Sequence, residues 1–295
     1  MSRLTRAAAM LGVIVAAVIA TGSTAWAEEP TQFCIPEKPT KPLESVNAKG
    51  ECTVKGTTTY KLVTLPGTAE LQTLDKILPF ISFNEAGVGG KPTVRFSGVN
   101  VQIVSGSGST KGAVNGAGNL VIGYDEKTAE NTQTGSHDLV LGEDQSFTSY
   151  GSIVAGKSST ASAPYASVTG GTGNTASEVG TSVTGGRFNT ASGLEASVTG
   201  GQENRAKGTL DAITGGEENR TEGNANAIHG GALNVIESDT QDETILGGSS
   251  NKVPFSSFYN VIAGGEENTF GKEAFASAIL GGHKQSLNGS YLHFP

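Results

Sequence analysis

The chain has 295 residues, 42 of them glycine, with aromatics at only 6% and a formal net charge of −8. No Lys/Arg cluster interrupts that acidity, which excludes the usual footprint of a nucleic-acid binder. Glycine-rich, aromatic-poor chains can be disordered, but here glycine is periodic and interleaved with Val and Ile, which argues for order.

The chain opens on a basic segment, Met1-Ser2-Arg3-Leu4-Thr5-Arg6, followed by an apolar run from Ala7 to Ala20 and a small-x-small site at Ala25-Trp26-Ala27. Residues 1–27 read as a secretory signal peptide. The run is shorter than the roughly 18 residues expected of a membrane span. No lipidated Cys follows Ala27, and no later segment is apolar enough to span. The mature chain is therefore expected to start at Glu28, to lack a transmembrane segment, and to be secreted or displayed at the cell surface.

Residues 28–66 hold short extended stretches among Lys, Pro and Gly, and the chain's two cysteines, Cys34 and Cys52. In an exported chain these two are expected to form a disulfide. Closing that loop stabilises by about 3 kcal/mol in the chain-entropy model. The segment reads as a small disulfide-stapled hairpin.

Residues 67–92 read as a capping helix and linker. Leu71, Leu74, Ile77 and Leu78 share one helical face. Thr68 is placed to cap the start, and Pro79 ends the helix. Leu71, Leu74, Leu78 and Ile81 also follow a 3-4-3 spacing that fits a short oligomer-forming stalk. Two heptads broken by Pro fall short of a coiled-coil signal, so the helix is read as a lid on the first turn of the repeat region.

Residues 93–295 form that repeat region. Thr93–Ser97 and Val99–Ile103 alternate as strands. Gly-Gly doublets then recur at Gly170-Gly171, Gly185-Gly186, Gly200-Gly201, Gly215-Gly216 and Gly230-Gly231, at a spacing of 15. They continue at Gly247-Gly248, Gly264-Gly265 and Gly281-Gly282, at a spacing of 17. A fixed period of this kind signals a solenoid. Three residues before the second glycine stands an aliphatic: Val168, Val183, Val198, Ile213, Ile228, Ile245, Ile262 and Ile279. Ile153, Leu139 and Leu120 extend the slot upstream. Side chains alternate across a strand, so the aliphatics point in and Ser167/Thr169, Ser182/Thr184 and Ser197/Thr199 point out. The doublet makes a corner where φ values that other residues resist are needed.

Asn stands three residues after the second glycine of the first seven doublets: Asn174, Asn189, Asn204, Asn219, Asn234, Asn251 and Asn268. Asn suits a turn, and stacked coils would make these residues an amide ladder. Two residues further lies a second inward slot, reading Ala176, Ala191, Ala206, Thr221, Ile236, Val253, Phe270 and Leu287. Its growth implies a bore that widens near Asn234, because interiors fill to constant density. Coils this short suit a flattened two-sheet roll. Eleven coils from Leu120 to Ile279 give a rod of roughly 50 Å at ~4.8 Å per strand. The expected fold is all-β: a parallel β-solenoid (β-roll) of 15- to 17-residue coils with a small N-terminal disulfide hairpin and one capping helix.

Ser152-Ile153-Val154-Ala155-Gly156 and Asn174-Thr175-Ala176 resemble the coil motifs of YadA-like trimeric autotransporter adhesin heads. The resemblance covers roughly Val94 to Asn288. It implies a left-handed parallel β-roll, packed as a homotrimer, that binds extracellular matrix, glycan or another cell-surface partner. The stretch from Gly123 to Gly142 looks like a group of exported bacterial proteins without an assigned activity.

Catalytic chemistry is not written in the repeats. His137, His229, His283 and His293 are scattered. Ser136-His137-Asp138 are adjacent in sequence, whereas a triad is a spatial arrangement. Glu217-Glu218 and Glu266-Glu267 sit in repeat turns facing solvent, without the paired carboxylates of a glycosidase. No calcium-roll signature occurs, and Gly106-x-Gly108 lacks the helix of a phosphate loop. No catalytic residue, cofactor or metal site is expected. The first expectation is a non-enzymatic adhesion or surface-binding protein. The alternatives are a structural coat protein, a polysaccharide-active enzyme, and an ice-binding solenoid using the Ser167 to Thr199 hydroxyl array.

Overall fold

A computed structural model describes residues 32–36, 44–45, 51–52, 60–64 and 68–295. The signal-peptide segment lies outside these residues. So does the Cys34 side chain, and with it the expected disulfide to Cys52. The described chain divides into two units, before and after the Val101–Gln102 bond.

In the first unit, β1 (Gln32–Pro36) pairs antiparallel with β2 (Glu44–Ser45) and β3 (Tyr60–Thr64) in a three-stranded sheet. Helix α1 runs from Thr68 to Ile77 and ends in a 3-10 turn, Leu78–Phe80, that contains Pro79. Leu74, Ile77 and Leu78 on its apolar stripe are exposed. Thr93–Phe96 (β5) does not enter the roll. It pairs antiparallel with Ile81–Asn84 (β4), and Val99–Ile103 carries no strand. The alternation in both segments suits any half-exposed strand equally, so it did not reveal the partner.

The second unit is a parallel β-solenoid of about twelve turns. One sheet has twelve strands, from Leu120–Ile122 to His293–Phe294, and the other has ten, from Ser146–Phe147 to Ser286–Leu287. Each coil between the two terminal ones contributes one short strand to each sheet, so every strand pairs with its counterpart one coil away. Val168, Val183, Val198, Ile213, Ile228, Ile245, Ile262 and Ile279 line the lumen and are fully buried. Ala161, Ala176, Ala191, Ala206, Thr221, Ile236, Val253 and Phe270 face them from the other sheet, equally buried.

The upstream slot is corrected by one residue. Val154 and Val140 occupy the lumen, because Val168 pairs with Val154 and Val154 with Val140. Ile153 and Leu120 are 38% and 46% exposed, and Leu139 is half-buried on the same outward face. Lys157 aligns with Thr172 even though Val154 aligns with Val168. The later coils therefore carry one extra residue between the inward aliphatic and the glycine. Counting back from glycine overshoots in the straight strands Leu139–Glu143 and Ile153–Lys157. A one-residue error in a strand exchanges its faces.

The bore widens where the changing slot implied. Thr221 pairs with Ile236, a step of 15, but Asn224 pairs with Gln241, a step of 17. The two additional residues thus lie between Ile236 and Gln241, at one corner only. They bring Thr240, Ser257 and Ala274 into the interior as a further buried column.

Of each doublet only the second glycine has positive φ, for example +86° at Gly171. Both corners also hold non-glycine residues in that left-handed region. Phe188, Glu203, Glu218 and Leu233 have φ of 53–60° at one corner. Leu210, Ala225, Asp242 and Tyr259 have φ of 56–65° at the other. Such strain persists where surroundings over-determine it. Here each of these residues donates its N–H to a carbonyl of the preceding coil, as in Phe188 N to Thr172 O at 2.9 Å and Tyr259 N to Gln241 O at 3.0 Å.

Candidate functional site

The Asn column is a closed hydrogen-bond system. Each Asn from Asn174 to Asn268 is fully buried. Asn219 Nδ2 donates to Gly215 O, Gly231 O and Asn204 Oδ1 at 2.9–3.1 Å. Its Oδ1 accepts from Asn234 N and Nδ2 at 3.0 and 3.1 Å. The column reaches beyond asparagine. Gln145, fully buried, donates to Gly156 O and accepts from Ser159 N, and Asp125 Oδ1 accepts from Gln145 N. The amides are thus spent within the wall of the roll.

A second polar column, not recognised from the sequence, lines the opposite corner. It includes Asp138, Thr181, Asp211, Asn226, Glu243, Asn260 and Ser277, all buried. Its links repeat the first column's. Asn226 N donates to Asp211 Oδ1, Glu243 N to Asn226 Oδ1, and Asn260 N to Glu243 Oε2, at 2.9–3.0 Å. A fixed place two residues before each inward Val or Ile was the available signal. The mixture of Thr, Ala, Asp, Asn and Glu there concealed it.

Three acids of this column are held in raised-pKa states. Burial pushes the Glu243 carboxyl up to about 8, against hydrogen bonds from Asn260 that favour its charged form. Burial likewise lifts Asp138 to about 6 against hydrogen bonds from Ser152. Asp211 is raised for the same reason, although Asn226, Gly223 and Gly208 donate to it. An acid whose folded pKa lies above its unfolded value binds its proton more tightly when folded. Its stabilisation is complete below the unfolded value and is lost as pH rises through the folded one. For Glu243 that window runs from its ordinary 4.5 to about 8, at about 1.4 kcal/mol per pH unit. Melting temperature is therefore expected to fall from pH 5 to pH 9. Glu243→Gln, whose single carbonyl can accept as the asparagines do, should flatten that slope. A melting temperature independent of pH would contradict this account.

The outward residues lie where alternation put them. Ser167, Ser182 and Ser197 are half-buried and Thr169, Thr184 and Thr199 exposed on one sheet. Thr169 Oγ1 donates to Thr184 O at 2.9 Å, so this array is partly committed to its own backbone. The other sheet carries a second array, Thr175/Ser177 and Thr190/Ser192, before charge takes over at Arg205, Lys207 and Arg220.

Ser136, His137 and Asp138 do not converge. Ser136 Oγ bonds Asn115, His137 Nε2 accepts from Ser105 N, and Asp138 Oδ1 accepts from Ser152 N. They tie the 105–119 segment and the neighbouring coil to the roll. Glu266, Glu267 and His283, all exposed, offer ligand atoms within 4.8 Å of one another. His283 Nδ1 lies 3.2 Å from Glu266, and Lys284 Nζ lies 3.6 Å from Glu267. A cleft of about 460 Å³ opens at the step in bore, lined by Lys207, Gly208, Glu222, Gly223, Asp239 and Thr240. It is spanned by the exposed Lys207–Glu222 ion pair at 2.9 Å.

Aromatic side chains gather at the second corner. Tyr150 and Tyr165 meet edge to face at 5.4 Å. Tyr259, Phe275 and Tyr291 form a three-ring run with centroids 5.4 and 5.5 Å apart. No helix among the described residues is long and apolar enough to cross a membrane. No protein-family model matches the chain, and no curated protein matches it either.

Proposed function

We propose that this chain is an exported, non-enzymatic surface protein of the YadA-like adhesin-head type, acting through the long outer surfaces of its roll. The observation that carries this reading is the division of polar groups. Buried amides and carboxyls are consumed by coil-to-coil ladders, while the outer faces carry regular rows of hydroxyls followed by charges. Such a scaffold presents a repetitive surface, as the extended faces of solenoids do. The signal-like segment 1–27 supports export, and an oxidising compartment would join Cys34 to Cys52. Three copies would form the working unit, as in the heads it resembles.

The test is binding of the purified exported chain to immobilised matrix proteins, glycan arrays and whole cells, with its mass in solution measured by light scattering. Saturable binding by a particle of three chains is the expected result. Absence of binding to every surface would favour a structural coat. Release of sugars from a polysaccharide would replace the reading with the enzymatic one, and thermal hysteresis with the ice-binding one. A monomer that still binds would remove the trimer alone.

A further inference from the structure

Two exposed tyrosines stand on one ridge near the C-terminal end of the roll. Tyr259 and Tyr291 are 49% and 75% exposed. Both occupy the left-handed position of the second corner, with φ of 65° and 58°, and Ala276 holds the same position in the coil between them. Their backbones are fixed coil to coil, Tyr259 N donating to Gln241 O, Ala276 N to Phe258 O, and Tyr291 N to Phe275 O, at 2.8–3.0 Å. Two coils separate them, a distance of roughly 10 Å at ~4.8 Å per strand. The Phe275 ring stands between, steeply inclined to each, at 78° and 64°.

The fold does not ask for tyrosine here. The same position is filled by Leu210, Ala225 and Asp242 in earlier coils, with the same sign of φ. A bulky ring in the left-handed region carries backbone strain, and these two rings leave much of their surface in water. The arrangement is better explained by what the rings present: two exposed aromatic side chains two coils apart along the roll, braced by a third between them. One coil upstream on the same ridge, Gln241 Nε2 donates to Asp242 Oδ2 at 3.0 Å, placing an amide and a carboxylate beside the run.

We infer that this ridge is a binding site for an uncharged, linear, β-linked glycan lying along the axis of the roll. This rests on the surface-binding reading and names its ligand class. The C–H face of one sugar ring packs on Tyr259 and that of a second on Tyr291, the two-coil spacing matching the disaccharide repeat of an extended chain. The phenolic hydroxyls, the Gln241 amide and the Asp242 carboxylate meet the sugar hydroxyls. An aromatic body with a polar tip suits a partner that is apolar on one side and wet on the other. Asp242 and the chain's net charge of −8 oppose sulfated and uronate polymers. An open ridge without walls selects a polymer over a single sugar.

The test titrates the full-length exported chain with cellohexaose and chitohexaose by calorimetry, with dextran and heparin as the α-linked and anionic comparisons. Wild-type chain is expected to bind at least one β-linked hexaose, and neither comparison polymer. Tyr259→Ala/Tyr291→Ala is expected to weaken that binding at least tenfold with an unchanged melting temperature. Ala225→Tyr, which places a ring elsewhere on the ridge, should not restore it. Equal binding by wild type and double variant, or no binding of either hexaose by wild type, would overturn the assignment. Loss of binding to a matrix protein or heparin in the double variant, without hexaose binding by wild type, would overturn the ligand class. The two readings fail separately: a double variant that still adheres to cells removes the ridge and keeps the adhesive role.

Discussion

Gly201→Ala is expected to destabilise the roll by more than about 4 kcal/mol, the range of exceptional single substitutions, whereas Gly200→Ala should change stability by less than about 1 kcal/mol. The two glycines are neighbours, and their surroundings differ completely. Gly201 has φ of +87°, and a methyl group there would overlap the Gly216 carbonyl oxygen and crowd Asn204 Nδ2 at 2.6 Å. The overlapped atoms belong to the next coil's backbone, which cannot move without breaking its own ladder. Gly200 lies outside the positive-φ region, and a methyl group there would have nothing within 4 Å. Denaturant unfolding of both variants checks the contrast. Equal losses would mean that the doublet acts through chain flexibility rather than through the approach of one coil to the next.

Asn219→Asp is expected to cost more than Asn219→Ala, and the alanine variant itself about 3–5 kcal/mol, the sum over the polar groups it strands. In the alanine variant Asn234 N loses its acceptor at 3.0 Å and Gly215 O loses its donor, while Gly231 O keeps only Glu217 N. Each buried group left without a partner costs about 1–3 kcal/mol. Aspartate restores the acceptor but turns other contacts against the fold. A carboxylate oxygen would face Gly215 O, Gly231 O and Asn204 Oδ1, which all accept from Asn219 now. The aspartate variant should therefore regain stability on acidification, as protonation supplies a donor. Its melting temperature relative to wild type at pH 4 and at pH 8 decides the matter, and a loss relative to wild type that is the same at both would show that the amide nitrogen is not what the column needs.

The coil was legible because several constraints recur at one spacing. Val168, Val183 and Val198 needed only alternation to be placed inside, and the change from Ala206 to Val253 and Phe270 announced the wider bore. The exchange of faces at Ile153 was hidden because glycine served as the ruler, and the ruler shifts by one residue in the straight strands. The second polar column was hidden for a different reason. At that corner Asp211, Asn226 and Glu243 each accept the next coil's N–H with a different side chain, while Thr181 bonds its own turn and Ala196 interrupts the series, so these residues do not look like members of one series. Phe188, Leu210 and Tyr259 gave no hint of left-handed backbone, since the neighbouring coil rather than the residue imposes it. Thr93–Phe96 alternates as a roll strand would, and only its pairing with Ile81–Asn84 shows it to be part of a separate hairpin. The tyrosine ridge was overlooked because Tyr259 and Tyr291 are distant in sequence and become neighbours only through winding.

The registered columns leave the roll without a privileged length. Excising the whole coil between Thr181 and Ser197 would join those two residues with every inward slot and both ladders still in line. An excision longer or shorter by a single residue would turn valines toward water and put both polar columns out of line. Natural change in such a molecule can thus proceed by whole increments, lengthening or shortening the displayed surface while leaving the Tyr259–Tyr291 end intact.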